Sequence, residues 1–97
     1  MSANTLSDGS RLTRKVAFKF FAPLSLTVQV AGTFNDWDPK RGELKKHADG
    51  NWTGSFDLSP GRYEYRFVVD GNWENDQNNM EIVPNYAGTF NNVLHVH

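Results

Sequence analysis

From Lys15 onward the sequence carries apolar side chains at every second position, and this alternation constrains the fold more than any other feature. A period of two is typical of β-strands that bury one face. The predicted inward-facing sets are Val16, Phe18 and Phe20; Leu26, Val28 and Val30; Trp52, Phe56 and Leu58; and Tyr63, Tyr65, Phe67 and Val69. A last, less regular strand carries Leu94 and Val96. No segment requires a helix.

The connections between these strands carry turn residues. Asp49-Gly50 and Asp70-Gly71 are tight-hairpin signals, and Ser59-Pro60-Gly61 is typical of a type II turn. Short strands at regular spacing with such turns predict an all-β protein, an immunoglobulin-like β-sandwich, with a small barrel as the alternative.

The chain has 97 residues, which suits one domain with one modest core. Residues 1–14 are polar and without periodicity, so we expect a flexible leader there and a folded domain over residues 15–97. There is no cysteine, no long apolar run and no signal-peptide pattern. We therefore expect a cytoplasmic protein. Its net charge of −1 gives no general attraction to nucleic acid or membranes.

Catalytic and metal-binding patterns are weak. His95 and His97 face one way on a strand but lack an evident third ligand. The stretch "DGNWENDQNN" has the composition of a calcium loop, yet Asn75 stands where the glycine is expected. A nucleophile-elbow motif and a phosphate-binding loop are both missing. We expect no enzyme activity, metal or cofactor.

The tryptophans divide into two kinds. Trp52 is in phase with the buried positions of its strand, which predicts a core residue. Trp37, in "FNDWDP", and Trp73, in "DGNWEND", fall among turn residues, where each either folds back to cap the sandwich or stays exposed. An exposed indole offers a flat face at little entropic cost. The apolar C–H face of a glucopyranose fits such a plate, and neighbouring polar side chains suit its hydroxyl rim.

Three blocks of the sequence, in order, carry a resemblance to a known family: "VAGTFNDWDP", "DGNWTGSFDLSPGRYEYRFVVDGNW" and "VPNYAGTFNNVLHV". Together, from about Val16 to Val96, they resemble a family 48 carbohydrate-binding module. This family includes the glycogen-binding domain of AMP-activated protein kinase β-subunits and the N-terminal domain of isoamylases and branching enzymes. The closest likeness is to stand-alone bacterial isoamylase early-set domain proteins.

The resemblance implies an early-set immunoglobulin-like sandwich that binds α-1,4-glucans such as glycogen, starch and maltooligosaccharides without catalysis. It also implies a set of carbohydrate-binding residues. Trp37 and Trp73 match the indoles that stack on glucose, and Arg66 stands where the family has a hydrogen-bonding lysine. Thr89 and Asn91 match the pair that contacts sugar hydroxyls.

One position departs from the family pattern. Ala87 stands where the family has a leucine that pushes through a bound ring of sugars, so a preference for cyclic or branched glucans does not carry over. Tyr86 beside it is a candidate third plate for stacking, with a packed loop aromatic as the alternative.

Two other functions use the same features. The fold also serves as a protein-interaction scaffold, on which an aromatic patch would dock a glycogen-metabolising enzyme or a kinase. An aromatic β-surface also binds single-stranded nucleic acid in cold-shock barrels. That mode requires a steep salt dependence, and the near-zero net charge counts against it.

Overall fold

A computed structural model describes residues 12–97 of the chain. The predicted leader lies almost entirely outside these residues, and the first strand begins at Arg14. Residues 12–97 contain eight strands, two 3₁₀ turns (Thr33–Asn35 and Pro39–Arg41) and no α-helix. The strands are β1 Arg14–Phe21, β2 Val28–Gly32, β3 Lys45–Lys46, β4 Asn51–Leu58, β5 Gly61–Val69, β6 Asn72–Glu74, β7 Ile82–Pro84 and β8 Phe90–Val96.

The strands form two antiparallel sheets. One has the order β1-β4-β3 and the other the order β2-β5-β8-β7, with β6 also paired to β5. At one edge the sheets are joined, because Val30 N–H donates to Gly42 O (2.8 Å) and Leu44 N–H donates to Val28 O (3.0 Å) just before β3. This arrangement confirms the predicted all-β sandwich.

Strands β6 and β8 share the edge of β5 that faces away from β2. β8 pairs with the first half of β5, from Gly61 to Tyr65, and β6 pairs with the second half, from Phe67 to Val69. The end of β6 therefore lies close to the beginning of β8, although the two are far apart in sequence. This juxtaposition builds the outer surface described below.

The core fills the space between the sheets with side chains from both. Its buried members are Phe18, Ala22, Val28, Val30, Leu44, Trp52, Tyr65, Phe67 and Val69. Trp52 is 7% exposed, and its Nε1–H donates to Ala22 O at 2.9 Å, which confirms the predicted core role. Fully burying a large apolar side chain stabilises a fold by about 1.5–3 kcal/mol, so the alternating pattern of the sequence supplies the main driving force.

One predicted core residue lies elsewhere. Leu26 was expected on the buried face with Val28, yet it is 86% exposed and precedes the start of β2. Asp70 Oδ1 accepts the N–H groups of Leu26 (2.8 Å) and Thr27 (3.0 Å). The chain therefore bends before the strand begins, and the apolar spacing of two at Leu26 is wrong as a strand signal.

The turn signals have mixed outcomes. Asp70 and Gly71 have φ of 49° and 84°, the two positive values that a type I′ hairpin needs, and they join β5 to β6 as predicted. Gly61 has φ of 158°, whereas the third residue of a type II turn needs about +80°. The type II prediction is therefore wrong: Ser59 and Pro60 carry the chain from one sheet to the other, since β4 and β5 belong to different sheets.

Candidate functional site

The loop after β2 presents Trp37, and the buried side chain of Asn35 holds this loop in shape. Asn35 Oδ1 accepts the N–H of Gly32 at 2.9 Å, and its Nδ2 donates to Val30 O at 3.1 Å. The backbone N–H of Trp37 donates to Gly32 O at 2.9 Å. These bonds replace sheet partners at the end of β2, so the loop is fixed against the strand that carries it.

Trp37 sits on a strained backbone. Asp36 and Trp37 have φ of 57° and 58°, in the left-handed region that a bulky residue rarely adopts. Directly afterwards Asp38 Oδ1 accepts Lys40 N–H (3.0 Å) and caps the second 3₁₀ turn, which begins at Pro39. Such strain costs on the order of 1–3 kcal/mol and is concentrated at functional sites. The asparagine, aspartates and proline of "FNDWDP" thus shape the loop that projects the indole.

Trp73 reaches the same surface from β6. The tight Asp70-Gly71 turn returns the chain along β5, so that Trp73 lies opposite Val68 on the outer face of the sheet. Its side chain is 44% exposed, while Val68 is buried. One face of the indole therefore remains open to solvent.

The two indoles lie side by side. Their ring centroids are 6.4 Å apart and their planes meet at 47°. Together they line a shallow depression of about 410 Å³, which we call the platform depression, and whose other lining residues are Arg66, Asn85, Ala87, Thr89 and Asn91. The two tryptophans that sequence reasoning singled out are thus brought into one angled surface.

Arg66 connects Trp73 of β6 to Thr89 in the loop before β8. Its Nη1 donates to Thr89 Oγ1 at 3.1 Å and its Nη2 donates to Trp73 O at 3.3 Å, while its buried Nε has no partner among the described residues. The sequence predicted an outward-facing arginine free to reach a ligand. The side chain does face outward, but each of its Nη atoms already makes one bond, which leaves one further N–H on each for a ligand.

Asn91 is more enclosed than the sequence suggested, at 8% exposure. Its Oδ1 accepts from Asn85 Nδ2 (2.9 Å), and its Nδ2 donates to Glu64 Oε1 (3.0 Å). The bond from Asn91, followed by one from Arg62, holds the pKa of Glu64 below its usual range. Since an amide has two donors and two acceptor lone pairs, these two bonds leave one donor and one acceptor of Asn91 unused.

Asn85 organises this surface, and sequence reasoning missed it. Its Oδ1 accepts the N–H groups of Ala87 (3.0 Å) and Thr89 (3.1 Å) and the Thr89 hydroxyl (3.0 Å). Its backbone N–H also donates to Thr89 O at 3.0 Å. A local signal was present, because asparagine side chains commonly accept a backbone N–H two residues further along the chain, as Asn85 does from Ala87.

Tyr86 lies at the tip of the same loop with its side chain fully exposed, at 110%. It does not line the platform depression. It lines a neighbouring depression of about 600 Å³, which we call the Tyr86 depression, together with Thr33, Trp37, Glu64, Pro84, Asn85 and Asn91. The packed-aromatic alternative is therefore wrong.

The remaining histidine prediction concerns the chain end. His95 Nε2 lies 2.9 Å from Glu81 Oε2, and both side chains are about half exposed. Across residues 12–97 no group of three potential metal ligands comes together. The same part of the chain holds no helix long and apolar enough to cross a membrane.

The two-sheet sandwich thus presents a shallow outer surface lined by aromatic and amide side chains, which suits a module that binds a ligand. Residues 18–97 match the family described as the glycogen recognition site of AMP-activated protein kinase. The chain belongs to this family of carbohydrate-binding modules. The predicted family resemblance is thus confirmed, whereas the closer likeness to bacterial early-set proteins stays a prediction.

The chain is also similar to β-subunits of this kinase and to a plant protein. The chain is 38% identical over 69 residues to human 5'-AMP-activated protein kinase subunit beta-2, covering 71% of this chain and 24% of the relative. For human subunit beta-1 the identity is 36% over the same length and the same shares. Protein PTST homolog 2, chloroplastic, from Arabidopsis thaliana is 36% identical over 67 residues, 69% of this chain and 12% of the relative. The chain thus spans about a quarter or less of these proteins.

Proposed function

We propose that this chain is a non-catalytic module that binds α-1,4-glucans such as glycogen, starch and maltooligosaccharides. Trp37 and Trp73 stack on neighbouring glucose units, and Arg66, Thr89 and Asn91 bond their hydroxyls. The observation that carries the proposal is the 6.4 Å separation and 47° angle of the two indoles. An α-glucan is a curved chain, so consecutive rings present their flat faces at an angle, and an angled pair of plates matches them better than a flat surface.

The polar surroundings support the same ligand class. The platform depression combines free N–H groups on Arg66 with one donor and one acceptor on Asn91, and a neutral polyol uses both kinds. A shallow site of this kind is expected to bind weakly, with a Kd of about 10 μM to 1 mM, or roughly 4 to 7 kcal/mol.

The first prediction concerns the two indoles. Trp37→Ala and Trp73→Ala should each weaken maltoheptaose binding by about 2 kcal/mol or more, because each removes one stacking plate. Isothermal titration calorimetry measures the affinities. Phe21→Ala is the matched control: it removes a 63% exposed aromatic that lines neither depression, and should leave binding unchanged. Folded Trp37→Ala and Trp73→Ala variants with wild-type affinity would contradict the proposal.

The second candidate function is docking to a glycogen-metabolising enzyme or kinase. Two observations favour it: Leu24 and Leu26 are 95% and 86% exposed on the loop before β2, and the β-subunit relatives are by name parts of a kinase. Glycogen beads separate the candidates, because a glucan module is retained from a pure sample and released by free maltooligosaccharides. Retention only in the presence of a second protein would favour docking.

No comparable observation favours nucleic-acid binding. A cytoplasmic location of the protein stays a prediction.

A further inference from the structure

Trp37 stands between two depressions rather than at the edge of one. The platform depression and the Tyr86 depression share Trp37, Asn85 and Asn91 as lining residues. They are therefore adjacent on the outer surface, and a ligand that leaves the platform past Trp37 enters the Tyr86 depression. Its volume of about 600 Å³ falls in the range of small-molecule sites.

Glu64 gives this second depression a fixed pair of hydrogen-bond acceptors. Glu64 Oε1 accepts from Asn91 and Oε2 accepts from Arg62 Nη1 at 2.9 Å, so the carboxylate is fixed in place. Its lowered pKa keeps it ionised at neutral pH, and about half of its lone pairs remain open. Thr33 Oγ1 accepts the backbone N–H of Glu64 at 3.1 Å, which leaves the hydroxyl hydrogen to donate.

The two depressions differ in charge. The platform depression contains the cation Arg66, whereas the Tyr86 depression contains the anion Glu64. Sugar hydroxyls both donate and accept, so a neutral glucan suits both sides. The exposed ring of Tyr86 adds a flat face, and the aromatic plate with fixed polar groups repeats the design of the platform.

We propose that the Tyr86 depression is a second subsite, which takes a further glucosyl unit of the same neutral chain, with Tyr86 against the sugar ring and Glu64 and Thr33 on its hydroxyls. The inference rests on the proposed function of the platform and adds a preference for longer chains. Short oligosaccharides fill the platform alone, while longer ones also fill the space beyond Trp37.

Chain length provides the test. Maltotriose and maltoheptaose are titrated into wild type, Tyr86→Ala and Glu64→Gln, with Met80→Ala and Glu81→Gln as controls at exposed positions outside both depressions. Wild type should bind maltoheptaose about tenfold more tightly than maltotriose. Tyr86→Ala should weaken the affinity for maltoheptaose about three- to tenfold and leave the affinity for maltotriose within about twofold. Glu64→Gln should also weaken the affinity for maltoheptaose, and the two controls should change neither affinity.

The outcomes separate the two proposals. If wild type binds neither sugar, the proposed function itself fails. If wild type binds both, but Tyr86→Ala leaves the ratio of the two affinities unchanged, the second subsite is wrong and the platform stands. Tyr86→Ala decides because a fully exposed side chain leaves no cavity when it is truncated, so the variant folds and Asn91 keeps its partners.

Discussion

At the scale of single residues, the tryptophan among turn residues is explained by its neighbour. Asn35 is 5% exposed and satisfies one donor and one acceptor of the backbone at the end of β2. Buried polar groups are costly unless they are bonded, so a loop that leaves a sheet edge needs such a side chain. The strained backbone of Trp37 persists because Asn35 and the Trp37 N–H bond hold the loop on both sides.

Replacing Asn35 tests this explanation. Asn35→Ala should lower the free energy of unfolding by about 2 kcal/mol or more, because Gly32 N–H and Val30 O lose their buried partner. Urea unfolding measures the change. Asp36→Asn is the matched control, since it breaks only an exposed ion pair with Arg41 and should change stability by less than about 0.5 kcal/mol. Equal losses in the two variants would contradict the role of Asn35.

At the scale of elements, the segment that follows β6 is held by a side chain of β8. Asn92 is fully buried, and its Oδ1 accepts Asn75 Nδ2 and Asp76 N–H, both at 2.9 Å. Its Nδ2 donates to the backbone oxygens of Asp76 (3.2 Å) and Asn79 (2.9 Å). All four hydrogen-bonding positions of the amide are filled. The segment after Trp73 is thereby tied to the strand that carries Asn91.

A one-atom change in this anchor is the next prediction. Asn92→Asp keeps both acceptor positions but removes both donors and buries a charge, so it should cost at least about 3 kcal/mol of unfolding free energy. It should also speed hydrogen exchange at the Asp76 N–H more than at the backbone N–H groups of the β1-β4-β3 sheet. Asn78→Asp, on the exposed side of the same segment, should change stability by less than about 0.5 kcal/mol. A stable Asn92→Asp variant with slow exchange at Asp76 would rule the anchor out.

These elements also show what sequence could and could not predict. The alternation of apolar residues located β1, β4 and β5, because the burial of one strand face is a local pattern. It failed at Leu26, since Asp70, far along the chain, takes the backbone groups that a strand would have paired. The anchoring by Asn92 and the two bonds that hold Asn91 depend on β6 and β8 sharing one edge of β5. No local pattern encodes that pairing.

The residues of the candidate site also divide into those that the sequence predicts and those that it does not. The sequence and its family resemblance named Trp37, Trp73 and Arg66, because an indole among turn residues and an arginine out of phase with the core are visible locally. Asn85 bonds Asn91 across its own hairpin loop, whereas Glu64 reaches Asn91 from a different strand. The spacing of Glu64 along the chain gives no hint of that contact.

At the scale of the whole molecule, three carboxyl groups with lowered pKa values should make the fold less stable in acid. Hydrogen bonds lower the pKa of each carboxyl group. The main donor is the Asn51 backbone N–H for Asp49 and the Thr27 backbone N–H for Asp70. For Glu64 it is the side-chain amide of Asn91. A carboxyl group whose pKa is lower in the folded state stabilises the fold at pH values above its unfolded-state pKa, which is about 3.9 for Asp and 4.3 for Glu. This stabilisation is lost as the pH falls through the folded-state pKa.

Tyr65 should make the fold less stable at alkaline pH. Burial raises its pKa well above the usual value of about 10, and its hydroxyl donates to Asp76 Oδ2 at 2.7 Å. Between the unfolded-state pKa and the higher folded-state pKa of Tyr65, only the unfolded protein releases the phenol proton. The buried phenol therefore stabilises the fold below about pH 10, and this stabilisation is lost as the pH rises further.

The unfolding free energy should therefore be level from about pH 5 to 9, fall below about pH 4 and fall again above about pH 10. Urea unfolding at a series of pH values measures the profile. Asp70→Asn should make the acid limb shallower, because an amide at this position cannot gain the proton that costs the Leu26 and Thr27 bonds, while Asp49 and Glu64 keep the rest of the slope. Tyr65→Phe should flatten the alkaline limb and leave the acid limb unchanged. If both limbs keep their slopes in these variants, neither Asp70 nor the buried Tyr65 sets the pH range of the fold.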